Sequence, residues 1–198
     1  MKRVLDLSIA IVALAILSPV ILILAALVRL AIGSPVFFRQ QRPGLHCRPF
    51  WLVKLRSMDV AFNADAESQA DSERLGRFGI WLRATSLDEL PELWNVLRGD
   101  MSLVGPRPLL MEYLPLYSEQ QARRHEVRPG LTGWAQIHGR NSATWSERLE
   151  LDVWYVDNRT IRLDLWILWR TMLIVISREG INQDGHATMA KFRGNHDI

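Results

Sequence analysis

The sequence is poor in cysteine and in lysine. Among 198 residues only Cys47 is a cysteine, which excludes an intramolecular disulfide framework and a zinc site built from several cysteines. The five histidines show no metal-ligand spacing. Lysine occurs three times, whereas arginine, whose guanidinium binds phosphate in a bidentate way, occurs 21 times. The net charge of only +3, with acidic residues interleaved, argues against a nucleic-acid partner.

A long uncharged run lies near the amino terminus. From Leu7 to Val28, 22 residues carry no charge. As a helix this run would be roughly 33 Å long, enough to cross the hydrocarbon core of a bilayer. Pro19 lies near its middle and predicts a kink. The hydroxyl of Ser18 can bond a carbonyl that the proline leaves free.

Basic residues flank this run on both sides. Lys2 and Arg3 precede it, and Arg29 with several further arginines follows it. Because positive charge marks the cytoplasmic face, both ends favour the same side of the membrane. We therefore predict a kinked re-entrant membrane helix in residues 1–36 and one compact cytoplasmic domain in residues 37–198. A single spanning anchor is the alternative, and a cleaved signal peptide is disfavoured because the run lacks a small-residue cleavage site.

Two stretches after the membrane segment contain charged residues of interest. Residues 50–58 have the character of a strand, on which Lys54 and Arg56 would point to one face. Either an anion meets these cations or the face is simply exposed. Residues 63–73 are acidic and rich in alanine and serine, without apolar periodicity, and predict a loop that could serve as a lid.

Acidic residues precede a predicted helix. Apolar side chains across residues 90–97 follow the i, i+3, i+4, i+7 spacing of a helix face. Ser86 and Glu89 match a capping box, and Asp88 could itself be the N-cap, which would explain these residues structurally. The functional alternative is a carboxylate nucleophile held at a helix start beside a bound phosphate.

The second half of the chain holds arginines next to proline or glycine. Arg107 lies between Pro106 and Pro108, so its side chain leaves a stiff loop. Arg140 follows a glycine-containing stretch whose backbone could approach a ligand closely. Residues 162–176 are nearly all apolar and form either a core helix or, given two tryptophans, a helix in the headgroup region.

Taken together, these motifs resemble the bacterial sugar transferase family, the monotopic phosphoglycosyl transferases. The resemblance covers nearly the whole chain, and the size of the chain is similar to the small PglC type. The motifs that carry it are SP at 18–19, KLRSM at 54–58, TSLDELP at 85–91, NVLRGDMSLVGPRP at 95–108 and RPGLTGWAQ at 128–136.

The resemblance implies a fold and an activity. The fold is α+β and predominantly helical, a monotopic protein with its catalytic domain and interfacial helices on the cytoplasmic face of the inner membrane. Members transfer a sugar 1-phosphate from a UDP-sugar to polyprenyl phosphate with Mg²⁺, releasing UMP, in the first membrane step of glycoconjugate biosynthesis. The PglC type implies an N-acetylated amino-deoxy sugar such as diacetylbacillosamine. A homodimer is possible.

The resemblance also implies roles for particular residues. The catalytic Asp-Glu pair falls on Asp88 and Glu89, with Asp88 as nucleophile and both residues as Mg²⁺ ligands. The membrane bend falls on Ser18 and Pro19. Substrate-binding positions fall on Lys54, Arg56, Arg83, Pro106, Arg107, Pro108, Arg140 and Asp152.

Two other functional classes remain open on the residues alone. One is a glycosyltransferase that moves only the sugar and releases UDP, which a carboxylate pair and a membrane anchor would also suit. The other is a non-enzymatic, membrane-tethered protein that binds anions through its arginines. Binding by such a protein would fall steeply with salt and would not need Asp88.

Overall fold

The computed structural model describes residues 1–58, 76–138, 144–177 and 191–194. It is mainly helical, with two small sheets, as predicted. The strands are β1 (Phe37–Pro43), β2 (Pro49–Leu55), β3 (Ser102–Val104) and β4 (Gly130–Thr132). The helices are α1 (Lys2–Ala31), α2 (Arg77–Ala84), α3 (Glu92–Arg98), α4 (Glu119–Ala122), α5 (Trp134–His138), α6 (Trp145–Asn158) and α7 (Ile161–Ser177).

Helix α1 contains the predicted membrane segment. It runs for 30 residues and, within the described part of the chain, is long and apolar enough to cross a membrane. Pro19 lies inside it and has no N–H to donate to the carbonyl of Ala15. The hydroxyl of Ser18 donates to that carbonyl instead, at 3.1 Å. The predicted compensation of Pro19 by Ser18 is therefore confirmed.

The amino-terminal turns of α1 are bound to the rest of the protein by polar contacts. The Nζ atom of Lys2 lies 2.6 Å from the carboxylate of Asp164 in α7. Arg3 donates to two carbonyls in the last turn of α3, at 2.7 and 2.9 Å. The buried carboxylate of Asp6 accepts from the hydroxyl of Ser102 at 2.9 Å. Hence the start of α1 is fixed to the same body that carries α3 and β3.

The carboxyl-terminal half of α1 also contacts this body, through apolar side chains. Leu24 and Val28 are buried in a cluster with Leu55 of β2 and Leu82 of α2. By contrast, many side chains in the middle of α1 are exposed, among them Ile16 and Leu22. Both ends of α1 therefore contact one domain, while apolar surface between them is left uncovered.

The β1–β2 hairpin is joined to α3 by one asparagine. The strands pair antiparallel from Phe37 opposite Leu55 to Pro43 opposite Pro49. The buried side chain of Asn95 in α3 forms two hydrogen bonds with the backbone of β2, one as acceptor and one as donor. The predicted strand over residues 50–58 is thus confirmed, but it ends at Leu55. As a result Arg56 lies beyond the strand and does not share a strand face with Lys54.

A second, parallel sheet leads into the Pro106–Pro108 loop. Ser102 pairs with Gly130 and Val104 with Thr132. A Cβ atom on Gly130 would collide with the backbone of Gly105, so the close approach of these two segments requires glycine. The core around this sheet includes Val96, Met101, Leu103, Tyr155 and Ile167.

Helix α7 is only partly a core helix. Ile167 is fully buried, whereas Trp169 is 55% exposed and Met172 is 64% exposed. Leu165 and Trp166 are exposed as well. An apolar face with tryptophans that is open to the surroundings favours the headgroup interpretation over the core interpretation.

Candidate active site

The predicted nucleophile lies in a short turn before α3. Residues Leu87–Glu89 form a single 3-10 turn, entered through Ser86 with a left-handed φ of 54°. Helix α3 begins only at Glu92, and no side chain caps either element. The capping interpretation of Ser86, Asp88 and Glu89 is therefore wrong. The physical reason is that the Glu89 carboxylate is bound by cations from elsewhere in the fold.

Glu89 brings together two of the predicted cations. Its Oε1 atom lies 2.6 Å from Nζ of Lys54 and 2.5 Å from Nη2 of Arg107. Lys54 Nζ also lies 3.0 Å from Oε1 of Glu92, which is 3% exposed. Strand β2, the start of α3 and the Pro106–Pro108 loop therefore meet at one cluster of alternating charges.

The Asp88 carboxylate is buried beside this cluster. Within the described part of the chain, no donor forms a hydrogen bond or ion pair with it, and the residue is 7% exposed. Burial, together with the negative charge of Glu89, raises the pKa of Asp88 to about 6, while Lys54, Arg83 and Arg107 oppose the shift. Asp88 is thus mainly ionised at neutral pH, and none of the described groups holds its oxygens by a hydrogen bond.

The neighbouring glutamates have opposite pKa shifts. Burial by itself would raise the pKa of Glu89, but the positive charges and hydrogen bonds of Arg107 and Lys54 outweigh burial and lower it. Burial raises the pKa of Glu92 to about 7, although Lys54 opposes this. Glu89 is therefore a permanent anion that organises the two cations, whereas Glu92 is easily protonated.

Arg83 belongs to the same neighbourhood. It lies in the last turn of α2, and its Nε donates to the hydroxyl of Ser57 at 2.8 Å. Its positive charge is one of the three that oppose the rise in the pKa of Asp88. Pro106 and Pro108 are both buried on either side of the exposed Arg107. The fold thus assembles Asp88, Glu89, Lys54, Arg83 and Arg107 as a single candidate site.

Other predicted site residues lie apart from the carboxylates. Arg56 is buried and donates to the carbonyls of Ile32 and Ser34, at 2.7 and 2.8 Å, where the chain leaves α1. Asp152 is paired with Arg124, at 2.7 Å, behind the Pro106–Pro108 loop. Arg140 and the predicted lid over residues 63–73 fall outside the described residues. Substrate contact by these groups stays a prediction.

Two groups that shape the site were not predicted from the sequence. Glu92 lies one turn beyond Glu89, and this i, i+3 repeat of carboxylates was a signal that could have indicated it. Arg124 lies in a basic run with Arg123 and His125 that resembles a solvated surface. Only its burial and its pairing with Asp152 reveal its role.

The oxygen donors around Asp88 match part of what Mg²⁺ requires. The described residues contain no group of three or more His, Cys, Asp or Glu side chains suited to hold a metal ion. However, Mg²⁺ is usually bound by one or two carboxylates together with substrate phosphates. Asp88 fits this pattern because no described group donates to its oxygens. Both oxygens of Glu89 accept from Arg107, so ligation by Glu89 would require that pair to open.

Known proteins resemble this chain in sequence. A family model described as bacterial sugar transferase matches residues 1–178, which include α1, the charged cluster and α7. The chain belongs to the bacterial sugar transferase family. The resemblance inferred from the motifs is thereby confirmed.

Relatives within the family differ in length. A Bacillus subtilis protein named uncharacterized sugar transferase EpsL is 55% identical over 198 residues, which cover 100% of this chain and 98% of the relative. A UDP-glucose:undecaprenyl-phosphate glucose-1-phosphate transferase of Caulobacter vibrioides is 40% identical over 88% of this chain and 67% of the relative. The Salmonella typhimurium undecaprenyl-phosphate galactose phosphotransferase is 38% identical over 91% of this chain but only 41% of the relative.

Proposed function

We propose that this protein transfers a sugar 1-phosphate from a UDP-sugar to undecaprenyl phosphate and releases UMP. The observation that carries the proposal is the buried Asp88 carboxylate, which no described group holds, beside the cations Lys54, Arg83 and Arg107. Family membership and the names of the transferases from Caulobacter and Salmonella support the same reaction.

The reaction proceeds in two displacements at phosphorus. In the first, a carboxylate oxygen of Asp88 attacks the β-phosphorus of the UDP-sugar, and the bond to the bridging oxygen breaks. The electron pair leaves with UMP, and an aspartyl phosphosugar remains. In the second, an oxygen of the polyprenyl phosphate attacks the same phosphorus, and the Asp88 carboxylate is restored. Two anionic substrates therefore never need to meet in one step.

The surrounding cations stabilise the charge that develops on the transferring phosphate. Lys54 and Arg107 are held in place by Glu89, so they need little reorganisation when substrate binds. Arg83 adds a third positive charge from α2. A bound Mg²⁺, held by Asp88 and the substrate phosphates, would neutralise further negative charge there.

The membrane segment places this chemistry at the depth of the lipid phosphate. We infer that residues 1–36 form the re-entrant unit and residues 37–198 the catalytic domain on the cytoplasmic face of the inner membrane. Contacts from both ends of α1 to the same domain support this topology. The exposed apolar face of α7 supports an interfacial helix.

The donor sugar is proposed to be an N-acetylated amino-deoxy sugar such as diacetylbacillosamine. The proposal rests on the similarity in size and motifs to the small PglC type. The Caulobacter and Salmonella relatives, by contrast, are named for glucose and galactose. A panel of UDP-sugars that includes all three kinds separates these substrates directly.

The first experiment identifies the released nucleotide. Detergent-solubilised protein is incubated with Mg²⁺, undecaprenyl phosphate and each UDP-sugar, and the nucleotide is separated by chromatography. UMP supports phosphosugar transfer and identifies the sugar. UDP would mean plain glycosyl transfer and would remove Asp88 from the nucleophile role. No nucleotide from folded protein would favour the anion-binding alternative.

A second experiment looks for the covalent intermediate. The protein is incubated with the accepted UDP-sugar without polyprenyl phosphate, and its intact mass is measured. The wild-type protein should gain the mass of one phosphosugar, whereas Asp88→Asn should gain none and retain its membrane association. Asp157→Asn, which removes a surface carboxylate, is the matched control and should gain mass like the wild type. A gain by Asp88→Asn would contradict the assignment.

A further inference from the structure

The loop that carries Arg107 is held by its carbonyl groups. Pro106 and Pro108 have no N–H, so they cannot donate to neighbouring backbone. Instead, the carbonyl of Pro106 accepts from the N–H of Gly130 at 2.9 Å. The carbonyl of Pro108 accepts from Arg42 at 3.3 Å. Between them, the carbonyl of Arg107 itself accepts from Nη2 of Arg124 at 2.7 Å.

Arg124 is the buried side chain among these donors, since Arg42 is only partly buried and Gly130 donates from its backbone. Its residue surface is 2% exposed, and it is among the largest fully buried side chains of the described residues. Its Nε and Nη2 atoms both donate to Oδ2 of Asp152 in α6, at 3.0 and 2.7 Å. Its guanidinium also lies 5.7 Å from the ring centre of Tyr117. The guanidinium is therefore fixed from three directions.

A buried ion pair of this kind is not explained by stability alone. Removing two charges from water is costly, and apolar replacements of buried pairs often leave stability unchanged or improve it. Here Nη2 of Arg124 is shared between Asp152 and the Arg107 carbonyl. The planar fork of a guanidinium can span two acceptors in this way, whereas a lysine ammonium is a compact point charge.

We propose that Arg124, oriented by Asp152, is a positioning residue that aims Arg107 at the transferring phosphate by holding its carbonyl. In this role the two residues of the buried pair, which are 2% and 4% exposed, act from behind the loop without touching substrate. Asp152, predicted from the resemblance to bind substrate, acts through Arg124. The inference rests on the proposed function, since it takes Arg107 as a group that stabilises charge on that phosphate.

The test is a double-mutant cycle between Arg124 and Arg107. Initial rates of nucleotide release are measured over a range of UDP-sugar concentrations for wild type, Arg124→Lys, Arg107→Ala and the double variant. A small displacement of a catalytic group typically costs about 10- to 100-fold in rate. We expect Arg124→Lys to lower kcat by about that factor, with a smaller effect on KM. In the Arg107→Ala background the same change should cost less than about threefold, because the group it positions is gone.

Matched variants separate positioning from loss of fold. Arg123→Lys changes the neighbouring surface arginine, which pairs with Asp157, and should leave kcat and KM unchanged. The variant Arg124→Met with Asp152→Leu replaces the pair by apolar groups of similar size, so it should fold and still show the loss of kcat. It also serves as the test if Arg124→Lys does not fold.

The possible results separate this inference from the proposed function. The positioning role would be overturned if Arg124→Lys lowered kcat equally in both backgrounds, or if the apolar variant kept the wild-type kcat. In either case, UMP release by the wild-type protein would leave the proposed function intact. If wild-type protein released no nucleotide, the proposed function would fail and the inference with it.

Discussion

Asn95 accepts a hydrogen bond from the backbone N–H of Val53 at 3.1 Å, one residue before Lys54. The same side chain donates from Nδ2 to the carbonyl of Trp51 at 2.7 Å. One amide thus pairs with both backbone groups that β2 presents to α3. Lys54 reaches Glu89 and Glu92 from this strand. The contact of Asn95 with β2 therefore sets the distance between Lys54 and these two glutamates.

Replacing Asn95 by alanine should destabilise the protein and weaken the site. The change leaves the N–H of Val53 and the carbonyl of Trp51 without partners, which typically costs about 2–3 kcal/mol. We expect a lower melting temperature in detergent and a lower kcat, because Lys54 loses its fixed register. Asn158→Ala, at the exposed end of α6, is the control. A melting temperature equal to that of the wild type would contradict this account of the β2–α3 contact.

The raised pKa of Asp88 predicts a pH dependence of activity. Attack on phosphorus needs the carboxylate, and burial raises the pKa of Asp88 to about 6. The rate of intermediate formation should therefore rise with pH through about 6 and level off above it. Single-turnover measurements of UMP release across this pH range check the prediction. A rate that does not change between about pH 5 and pH 7 would argue against attack by Asp88.

The same pKa shift predicts that Asp88→Asn stabilises the protein. In the unfolded chain the carboxyl group titrates near its ordinary value, so between about pH 4 and pH 6 the folded state binds more protons than the unfolded state. The folded protein therefore loses stability as the pH rises through this window. Removing the charge should restore up to about 3 kcal/mol at about pH 8, and the gain should shrink towards pH 4. Thermal melts in EDTA, without UDP-sugar, provide the measurement.

Lys54 should be more important for stability in the presence of Glu92 than in its absence. Lys54→Met leaves the buried Glu92 carboxyl without its cation. Because the pKa of Glu92 is already raised to about 7, the group takes up a proton instead of staying charged, which limits this part of the loss to about 1–2 kcal/mol at about pH 8. Adding Glu92→Gln removes the titrating group and should recover that part of the loss, although catalysis stays impaired without Lys54. Chemical denaturation of the two variants measures the difference. Equal stability of the single and double variants would show that Glu92 does not depend on Lys54.

Pro19 predicts a measurable difference in topology. With proline in place and Ser18 compensating the freed carbonyl of Ala15, the amino terminus and the catalytic domain should be labelled from the same side of sealed membrane vesicles. Pro19→Ala restores a backbone N–H and favours a straighter helix, so a fraction of molecules should expose the amino terminus on the other side. Val20→Ala is the neighbouring control. Labelling of wild type from opposite sides would support the spanning anchor instead.

Local sequence patterns were sufficient for several features. An uncharged run long enough to cross a bilayer predicts α1, because length and apolarity act within one segment. The proline and its neighbouring serine were enough to predict that Ser18 bonds a freed carbonyl, since the acceptor, which is Ala15, lies within one helical turn. Motif order predicted the family and placed Asp88, Glu89, Lys54 and Arg107 in one site. These four residues do lie together.

The tertiary structure decided the contacts that join distant segments. Local rules favour a capping box at Ser86 and Glu89, but Lys54 from β2 and Arg107 from another loop bind Glu89 more strongly than a backbone N–H can. The burial of Arg124 against Asp152, 28 residues away, likewise could not be predicted from the sequence, because Arg124 lies in a run of basic residues typical of a surface. Periodicity reports only on neighbours along the chain, whereas partners of buried charges are chosen by packing. The sequence by itself thus determined the membrane helix, the family and the nucleophile candidate. The fold alone decided which charged groups surround Asp88 and Glu89, because those groups come from distant segments.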